Sequence, residues 1–301
     1  MSLALLVTGA TSQVGADLLG LVRSSRDTLA RGLTRKDLDL SDPFAARDVV
    51  AEWARIVRSD NAAHRLVVVN PAAHTAVDAA ETEEDEAYAV NAAGPAVLAT
   101  ACAQVGARLI HLGTDYVFPG DASMPYEVDD VTGPRSAYGR TKLAGELAVR
   151  ELLPDASHVV RTSSVYGLTG HNFVKTMVRL AAERDTVSVV DDQRSSPTWS
   201  RDLAAGLLEL AGSDVPPGTL HATNAGDTTW HGFAQAIFTE LGLDPARVLP
   251  TTAANFPRPA PRPAYSVLSP RSWIDAGLTP LQGWREALAE AFAQRPDAFR
   301  G

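Results

Sequence analysis

A tyrosine and a lysine stand four residues apart in Tyr138-Gly-Arg-Thr-Lys142, a spacing that puts a phenol and an ammonium on one face of a helix. Six tyrosines and three lysines in 301 residues give about 0.06 such pairs by chance. The chain otherwise prefers arginine, with 24 against three lysines, so a lysine at 142 stands out. The chemistry the pair suits is proton delivery. A ketone reduced by hydride needs a proton on the developing alkoxide, from an acid whose pKa lies near the working pH. Free tyrosine, near pKa ~10, is too weak an acid, and an adjacent cation is expected to stabilise the phenolate and lower that value. Lysine's compact charge can reach both the phenol's surroundings and ribose hydroxyls, where arginine's planar fork fits less well. Thr114 ends the apolar run Leu109-Ile-His-Leu-Gly-Thr114, where its hydroxyl would bond the carbonyl and fix its orientation.

Hydride has to come from a carrier. The run Leu3–Val7 passes into Thr8-Gly9-Ala10-Thr11-Ser12-Gln13-Val14-Gly15, where a helix is expected to begin. A strand turning through glycines into a helix offers free backbone N–H groups and the positive helix end to a pyrophosphate. Gly9 permits the tight turn and Gly15 the close approach of helix to strand, while Ser12 replaces the usual middle glycine. The second strand is followed by Thr34-Arg35-Lys36, cations that suit a 2′-phosphate and favour NADPH, with NADH still usable. Asp39 and Leu40 fall where an adenine edge is held.

The elements that must position these groups alternate. Strand-like runs at Leu3–Val7, Thr28–Leu33, Leu66–Asn70, Leu109–Leu112, His158–Thr162, Val187–Val190 and Leu220–Ala222 are separated by helical patterns. Those patterns include Val14–Ser25, Pro43–Ser59, Tyr88–Val105 and Ser136–Leu153. Asp42-Pro43 reads as a helix start, a capping side chain followed by a residue that needs no N–H there. Alternation of this length predicts an α/β fold, a doubly wound (Rossmann) parallel sheet, with a smaller C-terminal substrate-binding lobe. Continuous apolar runs predict strands covered on both faces. The dinucleotide-binding domain is expected over residues 1–165, with the later strands near 186–190 and 219–223 returning to its sheet or bordering it. The Pro-rich stretch Pro250–Pro270 precedes a helix, Trp284 to Gln294, and reads as a loop crossing a folded lobe.

Composition narrows the classes. Apolar residues make up 45% and charged residues 21%, as in ordinary globular chains. A net charge of -9 without a basic stripe argues against nucleic acid, and an anionic substrate would need a few local cations. No run is long enough for a membrane span and no leader pattern opens the chain, so the expected setting is cytoplasmic. Cys102, the single cysteine, can form neither an internal disulfide nor a thiolate cage and reads as a buried structural thiol.

Together these residues resemble the extended short-chain dehydrogenase/reductases and, within them, the dTDP-4-dehydrorhamnose reductase family, over nearly the whole chain. Gly113-Thr-Asp-Tyr-Val-Phe118 resembles that family's strand-end motif, and Pro134-Arg-Ser-Ala-Tyr-Gly-Arg-Thr-Lys-Leu-Ala-Gly-Glu146 its active-site helix. Arg161 to Gly167, Asn172 to Lys175, Asp192 to Thr198 and Arg262 to Ser266 resemble its later motifs. The resemblance implies reduction of dTDP-4-dehydro-L-rhamnose with NADPH, and a sugar-nucleotide-binding lobe over most of 166–301. It implies Thr114, Tyr138 and Lys142 as catalytic residues, and Gly9, Ser12, Gln13, Val14 and Gly15 as the phosphate loop. Ala72, Ala73 and Thr75 would line the cofactor, and Thr114, Tyr116, Asn172, Lys175 and Arg262 would bind the dTDP-sugar, with Arg258 a further cation. It leaves room for a homodimer. Some relatives bridge subunits through a carboxylate-held metal. Asp17 could serve, but Arg201 stands where a second acid would be, and no metal is expected. Three positions depart from the family pattern: Gly113 in place of Ser, Ser164 in place of Trp, and Pro71 in place of a small residue. Two rivals remain, a reductase of another 4-keto-6-deoxy sugar nucleotide and a non-catalytic NADP-binding regulatory subunit.

Overall fold

The run Leu-Ala-Leu-Leu-Val is apolar at every position because it becomes β1 (Leu3–Val7), buried on both faces. In the computed structural model, which describes residues 2–23, 27–42, 44–61, 63–294 and 299, β1 lies inside a six-stranded sheet. The other strands are β2 (Thr28–Gly32), β3 (Arg65–Asn70), β4 (Arg108–Thr114), β5 (Ser157–Thr162) and, after β6 (Val187–Val190) of the lobe, β7 (Gly218–His221). Their order is β7-β5-β4-β3-β1-β2, and every pairing is parallel. The order reverses between β1 and β3, and ligands of open α/β sheets bind at the carboxyl ends beside such a reversal.

Helices cover both faces. On one, α2 (Ala45–Asp60), α3 (Gly94–Val105) and α4 (Ala137–Leu152) bury Trp53, Leu98 and Val149 against the sheet. On the other, α1 (Gln13–Val22) and α6 (Ser200–Gly212) bury Leu18 and Leu207 beside Trp273. The smaller lobe has its own core, where α5 (Phe173–Glu183), α7 (Trp230–Glu240) and α8 (Trp284–Gln294) enclose Tyr166, Trp199 and Phe233.

Four expectations change. Val187–Val190 does not join the central sheet: it pairs in parallel with β8 (Val248–Thr251) and belongs to the lobe. β2 is an edge strand, exposed at its centre, so it is not covered on both faces. The helix expected over Tyr88–Val105 is broken: a short helix, Glu84–Tyr88, passes through a π turn, Ala89–Ala93, before α3 starts. Pro43 and the expected helix end at Ser24-Ser25 lie outside the described residues. Asp42 accepts the amide of Phe44 at 2.9 Å, and α2 begins only at Ala45. The Pro-rich stretch, expected to cross the lobe, starts in its β8 and runs out to the first part of the chain, bridging Tyr265 to Asp121 and Leu268 to Tyr126. No helix among the described residues is long and apolar enough to cross a membrane.

Candidate active site

β1 ends at a turn in which Gly9 takes φ +54°, a left-handed conformation that favours glycine. A Cβ at Gly9 would come within 3.0 Å of the Ala72 backbone, so the turn after β1 is pressed against the loop after β3. A Cβ at Gly15 would lie 2.3 Å from the Gly9 carbonyl, which fixes how closely α1 approaches β1. Ser12 caps α1 by accepting the Gly15 amide at 3.1 Å. The remaining first-turn amides, on Gln13 and Val14, need no partner within the helix and would meet a pyrophosphate at its N-terminus. The turn therefore fits a dinucleotide. Arg35 and Lys36 are exposed beyond it, with Arg35 Nε 3.4 Å from Asp39, while buried Leu40 packs its carbonyl on Gly94. Ala72 and Ala73 are half-buried in the β3 loop, and Thr75 is exposed just beyond them.

Thr114 ends β4, the next strand but one along the sheet, and its hydroxyl donates to Asp115 at 3.0 Å and accepts the Tyr116 amide at 3.2 Å. Tyr138 lies in the first turn of α4, which Ser136 caps through the Gly139 amide. The Tyr138 phenol lies beside the Thr114 hydroxyl, which acts against burial in setting its acidity, so two groups 24 positions apart in sequence meet at one point. Tyr116 meets the Tyr138 ring edge-on at 5.5 Å between centroids. One turn deeper, Lys142 is buried and donates to the Leu112 carbonyl at 2.5 Å.

The electrostatics differ from the expectation in one respect. Loss of water pushes the Tyr138 phenol up to about 12, against the opposing effect of Thr114, and no lowering by Lys142 enters. The ammonium is committed to Leu112 and has itself been lowered to about 8 by burial, partly offset by Glu146. As it stands, the site holds its proton on Tyr138. That is the form an acid must have before an alkoxide develops.

Behind Lys142 lies a buried ion pair, Arg161 Nε to Glu146 Oε2 at 2.9 Å. A Cβ at Gly113 would fall 2.3 Å from Glu146 Oε1, which explains glycine where the family pattern has serine. Three polar groups on adjacent strands also chain together: Thr8 donates to Asn70 at 2.5 Å, and Asn70 meets His111 Nδ1 at 3.0 Å. Burial and the nearby Lys142 hold His111 well below its usual range, as a neutral ring.

The substrate-side residues separate. Tyr116 and Arg262 line a cavity of about 710 Å³ with Phe173, Met177, Trp230 and Phe256. Lys175 is not there; it lines a different cavity with His171 and Arg179, because α5 turns Phe173 and Met177 toward the cavity of Arg262 instead. Asn172 caps α5 through the Lys175 amide and donates to Gln13 and the Gly167 carbonyl, at 2.9 and 2.8 Å, so its side chain ties the lobe to the phosphate loop. Ser164 has φ +47°, unusual for a non-glycine residue, and its hydroxyl lies 2.8 Å from that of Ser195. Reading the sequence missed Asn91. It bonds His74 through amide and carbonyl, at 2.8 and 3.1 Å, and meets Thr141 of α4 at 3.1 Å. A lone asparagine inside Ala89-Val-Asn-Ala-Ala was the available signal.

A glycine turn at the switch point of a doubly wound sheet, with a threonine, tyrosine and lysine gathered at the end of β4, defines a nicotinamide-dependent oxidoreductase of the short-chain dehydrogenase/reductase class. Residues 3–296 match the family model described as the RmlD substrate binding domain. A dTDP-4-dehydrorhamnose reductase of Streptomyces griseus is 51% identical over 293 residues, covering 95% of this chain and 92% of that protein. A probable dTDP-4,6-dihydroxy-2-methyloxan-3-one 4-ketoreductase of Streptomyces antibioticus is 46% identical over 303 residues, covering 98% of each. The structure of a Bacillus anthracis dTDP-4-dehydrorhamnose reductase in complex with NADP superposes with a TM-score of 0.90 at 35% identity, over 98% of this chain and all of that one. The chain belongs to the dTDP-4-dehydrorhamnose reductase family.

Proposed function

We propose that this chain reduces dTDP-4-dehydro-L-rhamnose to dTDP-L-rhamnose with NADPH. The observation that carries the reading is the approach of Tyr138 to Thr114, with Lys142 one helical turn deeper, beside Tyr116, which lines a cavity together with Arg262. The Gly9–Gly15 turn would hold the pyrophosphate of NADPH, whose nicotinamide would supply the hydride. Thr114 orients the sugar carbonyl, and Tyr138 gives its phenolic proton to the oxygen that becomes the 4-hydroxyl. Lys142 swings from the Leu112 carbonyl toward the phenol and stabilises the phenolate left behind. Arg262 meets the diphosphate, and the rings of Phe173 and Trp230, 4.7 Å apart, offer the base an aromatic wall. Asn172 and Lys175 fit this reading less well than Tyr116 and Arg262 do. Arg35, beside Asp39, and Lys36 are exposed and would meet a 2′-phosphate, which favours NADPH over NADH. The reading keeps the chain cytoplasmic, and molar mass from light scattering checks a homodimer.

The test is NADPH oxidation across a panel of 4-keto sugar nucleotides. Turnover should be greatest with dTDP-4-dehydro-L-rhamnose and fall by about 10²–10⁴-fold in Tyr138→Phe, the range for a lost general acid. Unchanged turnover in that variant would refute the assignment. A second reading, another 4-keto-6-deoxy sugar, has Ser164 in its favour, since its left-handed backbone and bond to Ser195 shape the cleft beside Tyr116. Preference for a different member of the panel would establish it.

A further inference from the structure

The segment from Asp78 to Glu84 carries four carboxylates, and three of them that the chemistry above does not use, Asp78, Glu81 and Glu84, reach two separate parts of the site. Asp78 Oδ2 lies 3.0 Å from Arg262 Nη2 and 3.4 Å from Arg258 Nη1, while its Oδ1 accepts the Ala260 amide at 3.3 Å. Glu81 accepts the amide of Ala137 at 2.8 Å, the first residue of α4 and the neighbour of Tyr138. Glu84 holds Arg140, in the same turn, through two bonds of 2.9 and 2.7 Å.

The Pro-rich strap depends on the first of these. Among the described residues, the hydrogen bonds and ion pairs that Pro257–Pro263 makes to distant parts of the chain converge on Asp78. Arg262 is then held at two points, by Asp78 and by the Ala260 carbonyl at 3.0 Å, leaving its other N–H groups for a ligand. A long side chain ordered in advance does not lose that freedom on binding. Asp78 also repels an incoming diphosphate. Its side chain is 32% exposed, however, so water screens the repulsion, whereas the placement it imposes is not screened.

We propose that Asp78 and Glu81 are positioning residues with separate tasks: Asp78 aims Arg262 at the diphosphate of the sugar nucleotide, and Glu81 sets the place of the Tyr138 phenol. One segment after β3 thereby fixes the distance between the charge-binding end of the substrate site and its proton donor. The first task rests on the reading of Arg262 as the diphosphate's partner.

Steady-state kinetics with NADPH and the sugar nucleotide test it. Asp78→Asn should raise KM about tenfold with kcat within about twofold, as for an interaction serving ground and transition states alike. Glu81→Ala should instead lower kcat about tenfold with KM within about twofold, as for misplacement of a reacting group. Glu81→Gln should recover most of that loss, since its amide oxygen still accepts the Ala137 N–H. Ala137→Pro removes the same N–H at a helical position where proline is tolerated, and should reproduce the kcat loss even if Glu81→Ala fails to fold. General loosening would move KM and kcat in the same way in both sets. That outcome, or a fall of KM in Asp78→Asn, overturns the proposal. Arg262→Gln separates the two layers. If it raises KM while Asp78→Asn does not, the positioning role of Asp78 fails alone; if it leaves KM unchanged, the diphosphate reading fails and takes that role with it.

Discussion

At Lys142 two demands conflict: the ammonium must be charged to stabilise a phenolate, yet it sits buried. Burial brings its pKa down to about 8, while Tyr138 is pushed up to about 12. Below about 8 the lysine is charged and the phenol protonated, the state the reaction requires. Above it the lysine loses its proton first. kcat/KM, which reports the free enzyme, should therefore fall as pH rises through about 8, and a profile flat to pH ~10 would refute the role of Lys142. The sign for stability is opposite. Between about 8 and the ordinary lysine value of 10.5 the unfolded chain binds more protons at this site than the folded one. This group's contribution to stability therefore rises with pH across that window. The pair itself was legible from a four-residue spacing. Its electrostatics were not, because they depend on Leu112 of β4 and Arg161 of β5, which other elements bring up to Lys142 and Glu146 of α4.

The catalytic helix is placed by bare backbone contact as well as by the side chains of Glu81, Glu84 and Asn91. A Cβ at Gly145 would fall 2.0 Å from the Asn91 carbonyl, so the π turn Ala89–Ala93 and α4 touch at bare backbone. Gly145→Ala should destabilise the protein by about 1–3 kcal/mol, the usual range for overpacking, and lower kcat as α4 shifts. Urea unfolding and turnover check both, and an unchanged midpoint would mean that the contact is not tight. Helical periodicity predicted one continuous helix over this stretch, since a single inserted residue hardly disturbs an apolar pattern. What selects the π turn is the set of bonds from Asn91 to His74 and Thr141. β2 was misjudged for a related reason: Thr-Leu-Ala-Arg-Gly is apolar enough to read as a strand, but only strand order makes it an edge.

Across the molecule, the cofactor turn, the β3 loop and the smaller lobe meet. Asn172 reaches Gln13 from the lobe, and Asp78 reaches Arg258 and Arg262 from the sheet. A dinucleotide in that cleft should stabilise the whole chain. At about 100 times its Kd the gain is about 2.7 kcal/mol, which corresponds to a rise of several degrees in Tm. The shift should be larger with NADPH than with NADH, and the difference should vanish in Arg35→Ala/Lys36→Ala. Equal shifts in the parent protein would remove the argument from these cations.

The sequence alone determined what is written in local patterns: alternating strands and helices, the glycine turn after β1, and a phenol and ammonium one helical turn apart. These follow from near-neighbour geometry, in which residue type and spacing are sufficient. The tertiary structure decided which groups share a space. It took Val187–Val190 from the sheet to the lobe, turned Lys175 away from Arg262, gave Asn172 to Gln13, and put Glu146 under Gly113. Each of these depends on contacts between residues far apart along the chain, where desolvation and close packing choose the partner and no spacing records it.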